Sequence, residues 1–343
     1  MRFAVGYQLP DADEEPLVEI VREFREKIDE VYFAWLDMPS GRSPMSGTGG
    51  VTNEEARERL EADLEAFREM GMKLNLLLNA SCYGAGAFSR ELAARVHKIV
   101  GHLTETVGLD TVTTMSPMIA EVVKCDFQDV DVRASINMRL GTVRAFEYVA
   151  HLFDSYTMQR EHNRDLERID ELKRWCDREG KTLHILVNSG CLAWCAVQTF
   201  HDNVVSHEAQ AAAHPPVSDD IPAFCWKYFR DREHWGTFLE NTWIRPEDVR
   251  HYERFFDVMK LATRMHANPR LVIRAYAEGK FTGNLPDLLE PGQGPLFLPY
   301  VIDNARFPDD WFERVTTCDR KCETCGYCAS VLERVLVKVG AAV

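Results

Sequence analysis

Short apolar segments alternate with amphipathic helical segments along most of this 343-residue chain. Most of the apolar segments end in a polar residue, which is typical of strands that are buried on both faces and stop at a sheet edge. The eight predicted strands cover residues 3–8, 31–37, 73–79, 111–115, 131–137, 155–160, 182–188 and 257–263. Eight strands separated by helices predict a (β/α)8 TIM-like barrel, with a doubly wound sheet as the alternative.

The composition supports one large barrel with an appendage. Hydrophobic residues make up 45% of the chain, which is ample for a core. We predict a barrel over residues 1–267 with an irregular insertion at about 205–243, followed by a C-terminal helical and cysteine-rich extension over 268–343. No G-x-G-x-x-G sequence follows the first predicted strand, so a dinucleotide site is disfavoured.

Charge and hydropathy restrict the partners of the chain. Its 54 acidic and 40 basic residues give a net charge of −14, which disfavours binding of bulk nucleic acid. No apolar run is long enough to span a membrane, and the N-terminal segment resembles a strand rather than a signal peptide. We therefore expect a cytoplasmic protein that acts on a small-molecule substrate, and a protein partner stays open as an alternative.

Ten cysteines in a chain without a secretion signal favour metal or redox chemistry over disulfides. Four of them lie within eleven residues, in the spacing C-x3-C-x2-C-x2-C, at Cys318, Cys322, Cys325 and Cys328. Closely spaced thiols on a tight loop suit an iron–sulfur cube, whereas a structural zinc site usually pairs C-x2-C elements from separate segments. The tail therefore predicts a [4Fe–4S] cluster, with zinc as the alternative.

A second group of cysteines follows the seventh predicted strand. Cys191 and Cys195 come directly after an Asn-Ser-Gly turn, at the start of a helix predicted over 192–204, and Cys225 lies further along. Residues four apart on a helix share a face, and a helix N terminus favours thiolates. We predict that these three cysteines bind metal, with Cys82 or a tail cysteine as the fourth ligand. The alternative is that they are small buried hydrophobic residues.

Polar residues at the predicted strand ends form a third group, because barrel enzymes bind and transform substrates there. The catalytic candidates are Arg160, Glu161 and Asp37. An arginine can clamp an anionic group, and a carboxylate can transfer protons. The substrate-binding candidates include Asn79, Asn137 and Asn188, and the Gly/Ser/Pro loop at 38–50 is long enough to be a lid or binding loop. No Ser–His–Asp order or H-E-x-x-H motif is present.

Three segments of the chain resemble the collagenase-like peptidases, unassigned peptidase family 32. They are Tyr-Thr-Met-Gln-Arg-Glu at 156–161, the strand ending in Asn-Ser-Gly-Cys at 188–191, and Asp-Val-Met-Lys-Leu-Ala-Thr-Arg at 257–264. Relatives in that family, including those of the ubiquinone-biosynthesis type, hydroxylate quinone precursors or RNA bases without oxygen gas. Four cysteines hold a [4Fe–4S] cluster in these relatives. The resemblance implies Arg160 and Glu161 as pocket residues, Cys191 as a cluster ligand and Arg264 as a substrate-binding residue.

The resemblance implies an enzyme with one or two [4Fe–4S] clusters that hydroxylates a small or aromatic substrate without oxygen, using an electron or oxygen donor. The chain departs from the family pattern at Cys191 and Cys195, which are closer together, at Cys225, which stands alone where two cysteines are expected, and in its tail. Two alternatives stay open. One is a peptidase, for which Cys82 is the candidate nucleophile, and the other is a non-enzymatic, metal-stabilised binding protein.

Overall fold

The computed structural model describes residues 1–11, 14–42, 52–211, 213–214 and 224–340. Eight parallel strands form its central sheet. They are β1 (Arg2–Tyr7), β2 (Ile28–Ala34), β3 (Lys73–Leu78), β4 (Thr111–Thr114), β5 (Asp131–Ala134), β6 (Ser155–Thr157), β7 (Thr182–His184) and β8 (Val258–Lys260). The strand order is β7-β6-β5-β4-β3-β2-β1-β8, so each strand pairs with its neighbour in sequence and β8 pairs with β1.

Backbone hydrogen bonds between the two ends of this sheet close it into a barrel. Leu186, just after β7, forms a parallel bridge with Lys260 of β8. Val187 N donates to the Lys260 carbonyl at 3.1 Å, and Lys260 N donates to the Ile185 carbonyl at 2.9 Å. The (β/α)8 barrel predicted from the sequence is therefore confirmed, and the doubly wound sheet is not the fold.

Helices follow the strands and cover the outside of the barrel. They are α1 (Leu17–Glu23), α2 (Asn53–Glu69), α3 (Arg90–Thr106), α4 (Pro117–Asp126), α5 (Val143–Tyr148), α6 (Leu166–Arg178), α7 (Gln198–Ser206), α8 (Glu208–Ala211), α9 (Phe224–Tyr228), α10 (Thr237–Glu240), α11 (Pro269–Glu278), α12 (Trp311–Thr317), α13 (Cys322–Cys325) and α14 (Tyr327–Val335). Apolar stripes on these helices pack against the strands; Phe67 of α2, for example, meets the Tyr7 ring edge-on at 5.7 Å. No helix in the described part of the chain has the length and apolar character needed to cross a bilayer.

The C-terminal extension shares its core with the barrel. The Tyr276 ring of α11 lies 6.1 Å from that of Phe3 in β1, and Trp311 of α12 stacks on Trp243 at 6.0 Å. Within the extension, β9 (Tyr300–Ile302) and β10 (Leu336–Lys338) pair antiparallel as a separate sheet. The predicted insertion at 205–243 lies partly outside the described residues, and the domain division stays a prediction.

The sequence prediction is wrong for the segment that follows β7. A helix was expected over 192–204, but residues 191–197 form turns and α7 begins only at Gln198. Trp194 has a φ of 56°, which a right-handed helix cannot include, and Ala193 N donates to Asn241 Oδ1 at 3.0 Å. Cys191 and Cys195 therefore lie on a turn rather than on one face of a helix N terminus.

Candidate functional site

Three arginines that follow different strands lie at the carboxyl-terminal mouth of the barrel, where Arg42 contacts Glu290. Arg42 follows β2, Arg160 follows β6 and Arg264 follows β8. Glu290 comes from the C-terminal extension, where its backbone pairs with the segment just after β7 through hydrogen bonds of 3.0 and 3.1 Å. This is the end of a barrel at which enzymes of the fold place their active sites.

Arg42 and Arg264 are both compensated by neighbouring groups. Arg42 Nε donates to Glu290 Oε2 at 3.4 Å, and the attraction of this carboxylate raises the pKa of Arg42 above its ordinary value. Arg264 Nη2 donates to Ser40 Oγ at 3.1 Å. Burial lowers the pKa of Arg264 to about 10, although the Tyr32 hydroxyl and Glu290 favour its charged form. Groups of the protein itself therefore stabilise the positive charges of both side chains.

Arg160 differs, because its buried guanidinium has no carboxylate partner among the described residues. The residue is 5% exposed and starts a 3-10 turn after β6, which ends at Thr157 rather than at residue 160 as predicted. Its Nη1 donates to the neutral Ser189 Oγ at 3.3 Å. A buried cation is costly unless an anion compensates it, so this group is suited to receive an anionic part of a ligand.

Ser189 joins this arginine to the cysteine-bearing turn. The Ser189 hydroxyl accepts hydrogen bonds from Arg160 and, at 3.4 Å, from Cys191 N. Cys191, Cys195 and Cys225 are all free and half-buried. Burial raises the pKa of Cys225, and the charges of the other two thiols raise it further, so the three sulfurs lie within electrostatic reach of one another.

These three thiols fit an iron–sulfur cluster by their chemistry. They are soft donors, and the Arg42 guanidinium close to Cys191 can balance an anionic cluster. In the described part of the chain, no three Cys, His, Asp or Glu side chains converge tightly enough to hold a single metal ion. An iron–sulfur cube spaces its thiolates further apart than one zinc ion does. The identity of a bound metal stays a prediction.

The four tail cysteines lie around α13. Cys318 directly follows α12, Cys322 and Cys325 begin and end α13, and Cys328 lies in α14. Burial raises the pKa of Cys328 to about 12; the Arg164 guanidinium opposes this shift, and the charges of Cys322 and Cys318 increase it. The tail thiols are therefore within electrostatic reach of one another.

Asn79 and Asn137 both contact the loop that carries Arg42. Gly41 N donates to Asn79 Oδ1 at 2.9 Å. A Cβ at Gly41 would lie only 2.7 Å from Asn137 Nδ2 and 3.0 Å from Asn79 Nδ2, so the loop approaches both amides more closely than any other residue type would allow. The structure thus brings two predicted substrate-binding residues to the base of the arginine site.

Three other predicted residues have different surroundings. Asp37 is exposed, and its carboxylate accepts from Asn53 Nδ2 at 3.4 Å rather than pairing with an arginine of the mouth. Glu161 is buried, and its Oε2 has no hydrogen-bond partner in the described part of the chain. The Asn188 amide is fully buried and bonds both backbone groups of Ala262, at 2.6 and 3.0 Å, which helps to close the barrel. Their catalytic and binding roles stay predictions.

A lysine and a tyrosine lie beside the arginine site, inside the barrel. The Lys260 amine sits 3.7 Å from the centroid of the Tyr32 ring, and the Tyr32 hydroxyl donates to the Leu261 carbonyl at 2.6 Å. Burial lowers the pKa of Lys260 to about 7, while Glu30 favours its charged form. This amine can therefore exchange a proton near neutral pH.

Sequence reasoning missed Arg42 and Glu290. They lie 248 positions apart, and no local pattern connects residues at that separation. The one available signal was the long loop predicted at 38–50, of which the structure describes residues 38–42. Glu290 lies in a Gly- and Pro-rich segment that carried no recognisable motif.

Comparison with known proteins agrees with this fold. No protein-family model matches the chain. A protein of Methanocaldococcus jannaschii described as an uncharacterized protease is 26% identical over 294 residues, which cover 84% of this chain and 85% of that protein. The solved structure of the U32 peptidase Mk0906 has a TM-score of 0.53 and 15% identity, over 76% of this chain and 92% of that one. The chain therefore shares the fold of a U32 peptidase and, over most of its length, resembles a protein described as a protease.

Proposed function

We propose that the protein is an enzyme of the U32 peptidase family that binds a small anionic substrate at the barrel mouth, beside an iron–sulfur cluster. The observation that carries the proposal is the buried Arg160 guanidinium, which lacks a carboxylate partner in the described part of the chain. A substrate carboxylate would supply the missing negative charge in the bidentate geometry that arginine favours. Ser189 holds this arginine next to the cysteine-bearing turn.

The residues of the mouth have separate roles in this proposal. Arg160 would bind and orient the substrate. Glu161, whose Oε2 is buried without a partner among the described residues, would accept a proton from it. Cys191, Cys195 and Cys225 would hold the cluster, which when bound supplies one-electron chemistry or a Lewis acid. The reaction we propose is an oxygen-independent hydroxylation of a small or aromatic substrate, in which an oxygen-donor co-substrate gives up its oxygen atom and is reduced by two electrons, or a related redox step.

The tail cysteines are proposed as the ligands of a second metal site, with iron–sulfur preferred and zinc as the alternative. Their grouping around α13 supports a site formed by these four thiols. A peptidase remains the alternative function, supported by the descriptions of the two similar proteins. A non-enzymatic binding protein stabilised by metal is the third.

Replacing Cys191 by Ser is expected to lower the iron and acid-labile sulfide bound after anaerobic purification, because a hydroxyl is a poor substitute for a thiolate ligand of iron. Cys176→Ser is the matched control, since Cys176 is buried in the core on α6. Iron and sulfide quantification together with visible absorbance provide the measurement. Equal iron in the two variants would show that the mouth cysteines are not cluster ligands. One zinc per protein without colour would favour the non-enzymatic alternative.

Replacing Arg160 by Gln is expected to weaken the binding of benzoate, a small aromatic carboxylate, by at least about 10-fold, because a hydrogen-bonded charge pair contributes about 1.5–3 kcal/mol. Titration calorimetry measures this directly. Arg144→Gln is the control, because the Arg144 side chain is 72% exposed on α5. The anion site would be refuted if wild-type protein did not bind benzoate, or if both variants bound it equally well.

A further inference from the structure

A second pocket, which borders the arginine site at Ser40, lies between the loops after β2 and β3 and the helices α7 and α8. It has a volume of about 360 Å³, and Cys82, His207 and Gln210 are among the residues that line it. Cys82 is free and half-buried. A thiol, an imidazole and an amide around one cavity are the groups that nucleophilic acyl transfer uses.

Hydrogen bonds between the preceding residues join the two segments that carry the thiol and the imidazole. Ser81 N donates to Ser206 Oγ at 2.9 Å, and the two serine hydroxyls lie 3.0 Å apart. The Ser81 hydroxyl also donates to Asn203 Oδ1 at 2.8 Å. Cys82 follows Ser81 and His207 follows Ser206. These hydrogen bonds therefore hold the backbone of Cys82 near the backbone of His207.

The two functional side chains also meet at the same glycine. Gly84 N donates to Cys82 Sγ at 3.3 Å. A Cβ at Gly84 would lie 3.7 Å from His207 Cε1, the carbon between the two ring nitrogens, so the imidazole is in van der Waals range of this glycine. Gly84 has a φ of 61°, a left-handed backbone conformation that favours glycine.

The remaining interaction joins the histidine to a glutamine amide. His207 Nδ1 lies 3.1 Å from Gln210 Oε1. In the tautomer in which Nδ1 donates to this oxygen, Nε2 has a free lone pair. An orienting amide behind a histidine base completes the nucleophile–base–orienter arrangement.

We propose that Cys82 and His207 form a catalytic thiol–imidazole pair for acyl substrates, esters or peptides, independent of the chemistry at the barrel mouth. His207 Nε2 takes the thiol proton as Sγ attacks the carbonyl carbon, and a carbon–sulfur bond forms. The carbon–oxygen or carbon–nitrogen bond of the substrate breaks, and the imidazolium gives its proton to the leaving group. Water, deprotonated by His207, then hydrolyses the thioester to a carboxylic acid and restores the thiol.

The test uses p-nitrophenyl acetate with the full-length protein. We expect p-nitrophenol release and a transient acetyl group on Cys82, detected by peptide mass spectrometry after an acid quench. Cys82→Ser is expected to remove both signals, and His207→Gln to slow the release at least about 100-fold, the usual contribution of a positioned general base. Cys125→Ser, which removes an exposed thiol on α4, should change neither signal.

Iron quantification in Cys82→Ser separates this proposal from a role of Cys82 as the fourth cluster ligand. We expect bound iron to be unchanged. A loss of iron, an ester turnover unaffected by Cys82→Ser, or acetylation confined to other residues would each overturn the proposal. None of these outcomes bears on Arg160 or on benzoate binding, so the mouth site is tested separately.

Discussion

Arg133→Leu is expected to lower the free energy of unfolding by about 3–5 kcal/mol, because it leaves a buried carboxylate without its counter-charge. Arg133 Nη1 lies 2.8 Å from Glu30 Oε1 inside the barrel, and the two side chains are only 9% and 3% exposed. Asn75 Nδ2 donates to the same oxygen at 2.8 Å. Urea denaturation of the wild-type and variant proteins measures the loss.

The contribution of Glu30 to the pH dependence of stability should have opposite signs in the two proteins. Burial alone would raise the pKa of Glu30, but attraction and a hydrogen bond from Arg133, with help from Asn75, lower it to about 2. In the wild-type protein this group therefore contributes stability above its unfolded pKa, and the contribution is lost as the pH falls towards 2. Without Arg133, burial dominates, so the variant is expected to lose less stability than the wild type on acidification.

A double variant, Arg133→Leu with Glu30→Met, provides the control. Removing both charges should recover most of the stability, since a buried ion pair often contributes little more than well-packed apolar residues. A double variant as unstable as Arg133→Leu alone would show that the loss comes from packing rather than from the unpaired charge.

Lys260→Met is expected to have a higher free energy of unfolding than the wild type at pH 7.5. The difference between the two proteins should decrease by about 2–3 kcal/mol between pH 7.5 and pH 9.5. Burial lowers the pKa of Lys260 in the folded protein to about 7, from the ordinary lysine value of 10.5. At pH values between these two pKa values, Lys260 binds more protons in the unfolded chain than in the folded one. Its contribution to the free energy of unfolding therefore rises with pH. The methionine variant lacks this contribution.

The difference between the two proteins isolates Lys260, because the cysteines, which also titrate in this range, contribute equally to both. Urea denaturation under anaerobic, reducing conditions at several pH values is the measurement. Lys98→Met, on the exposed side of α3, is the control and should show no pH-dependent difference. A constant offset between wild type and Lys260→Met would mean that the amine stays protonated in the folded barrel.

The barrel could be predicted because each of its strands coincides with a short apolar segment of the sequence. All eight apolar segments form strands in the structure, but β2 begins and ends three residues before its predicted place, and β3 to β8 are shorter than predicted by one to four residues. Their polar last residues leave the ladder, as Arg160 does when it starts a 3-10 turn after β6. Periodicity reports which residues are buried, and it does not report where the backbone hydrogen bonds stop.

The cysteine-bearing turn shows where local reasoning failed. Apolar spacing predicted a helix over 192–204, but Asn241 and the C-terminal extension hold residues 190–193 in another conformation. Gly190 illustrates the constraint, because a Cβ there would lie 2.2 Å from the Pro291 carbonyl oxygen. A contact with a residue a hundred positions away overrode the helical preference.

From the sequence alone follow the closed parallel barrel, the presence of Arg160, Arg264 and the soft thiols at strand ends, and the density of cysteines in the tail. These depend on periodicity and spacing, which are properties of neighbouring residues. Only the tertiary structure decided that Glu290 meets Arg42, that Arg160 has no carboxylate partner among the described residues, and that Cys82 and His207 line one pocket. Such pairings arise from distant segments that meet when the barrel closes, so no local pattern could encode them.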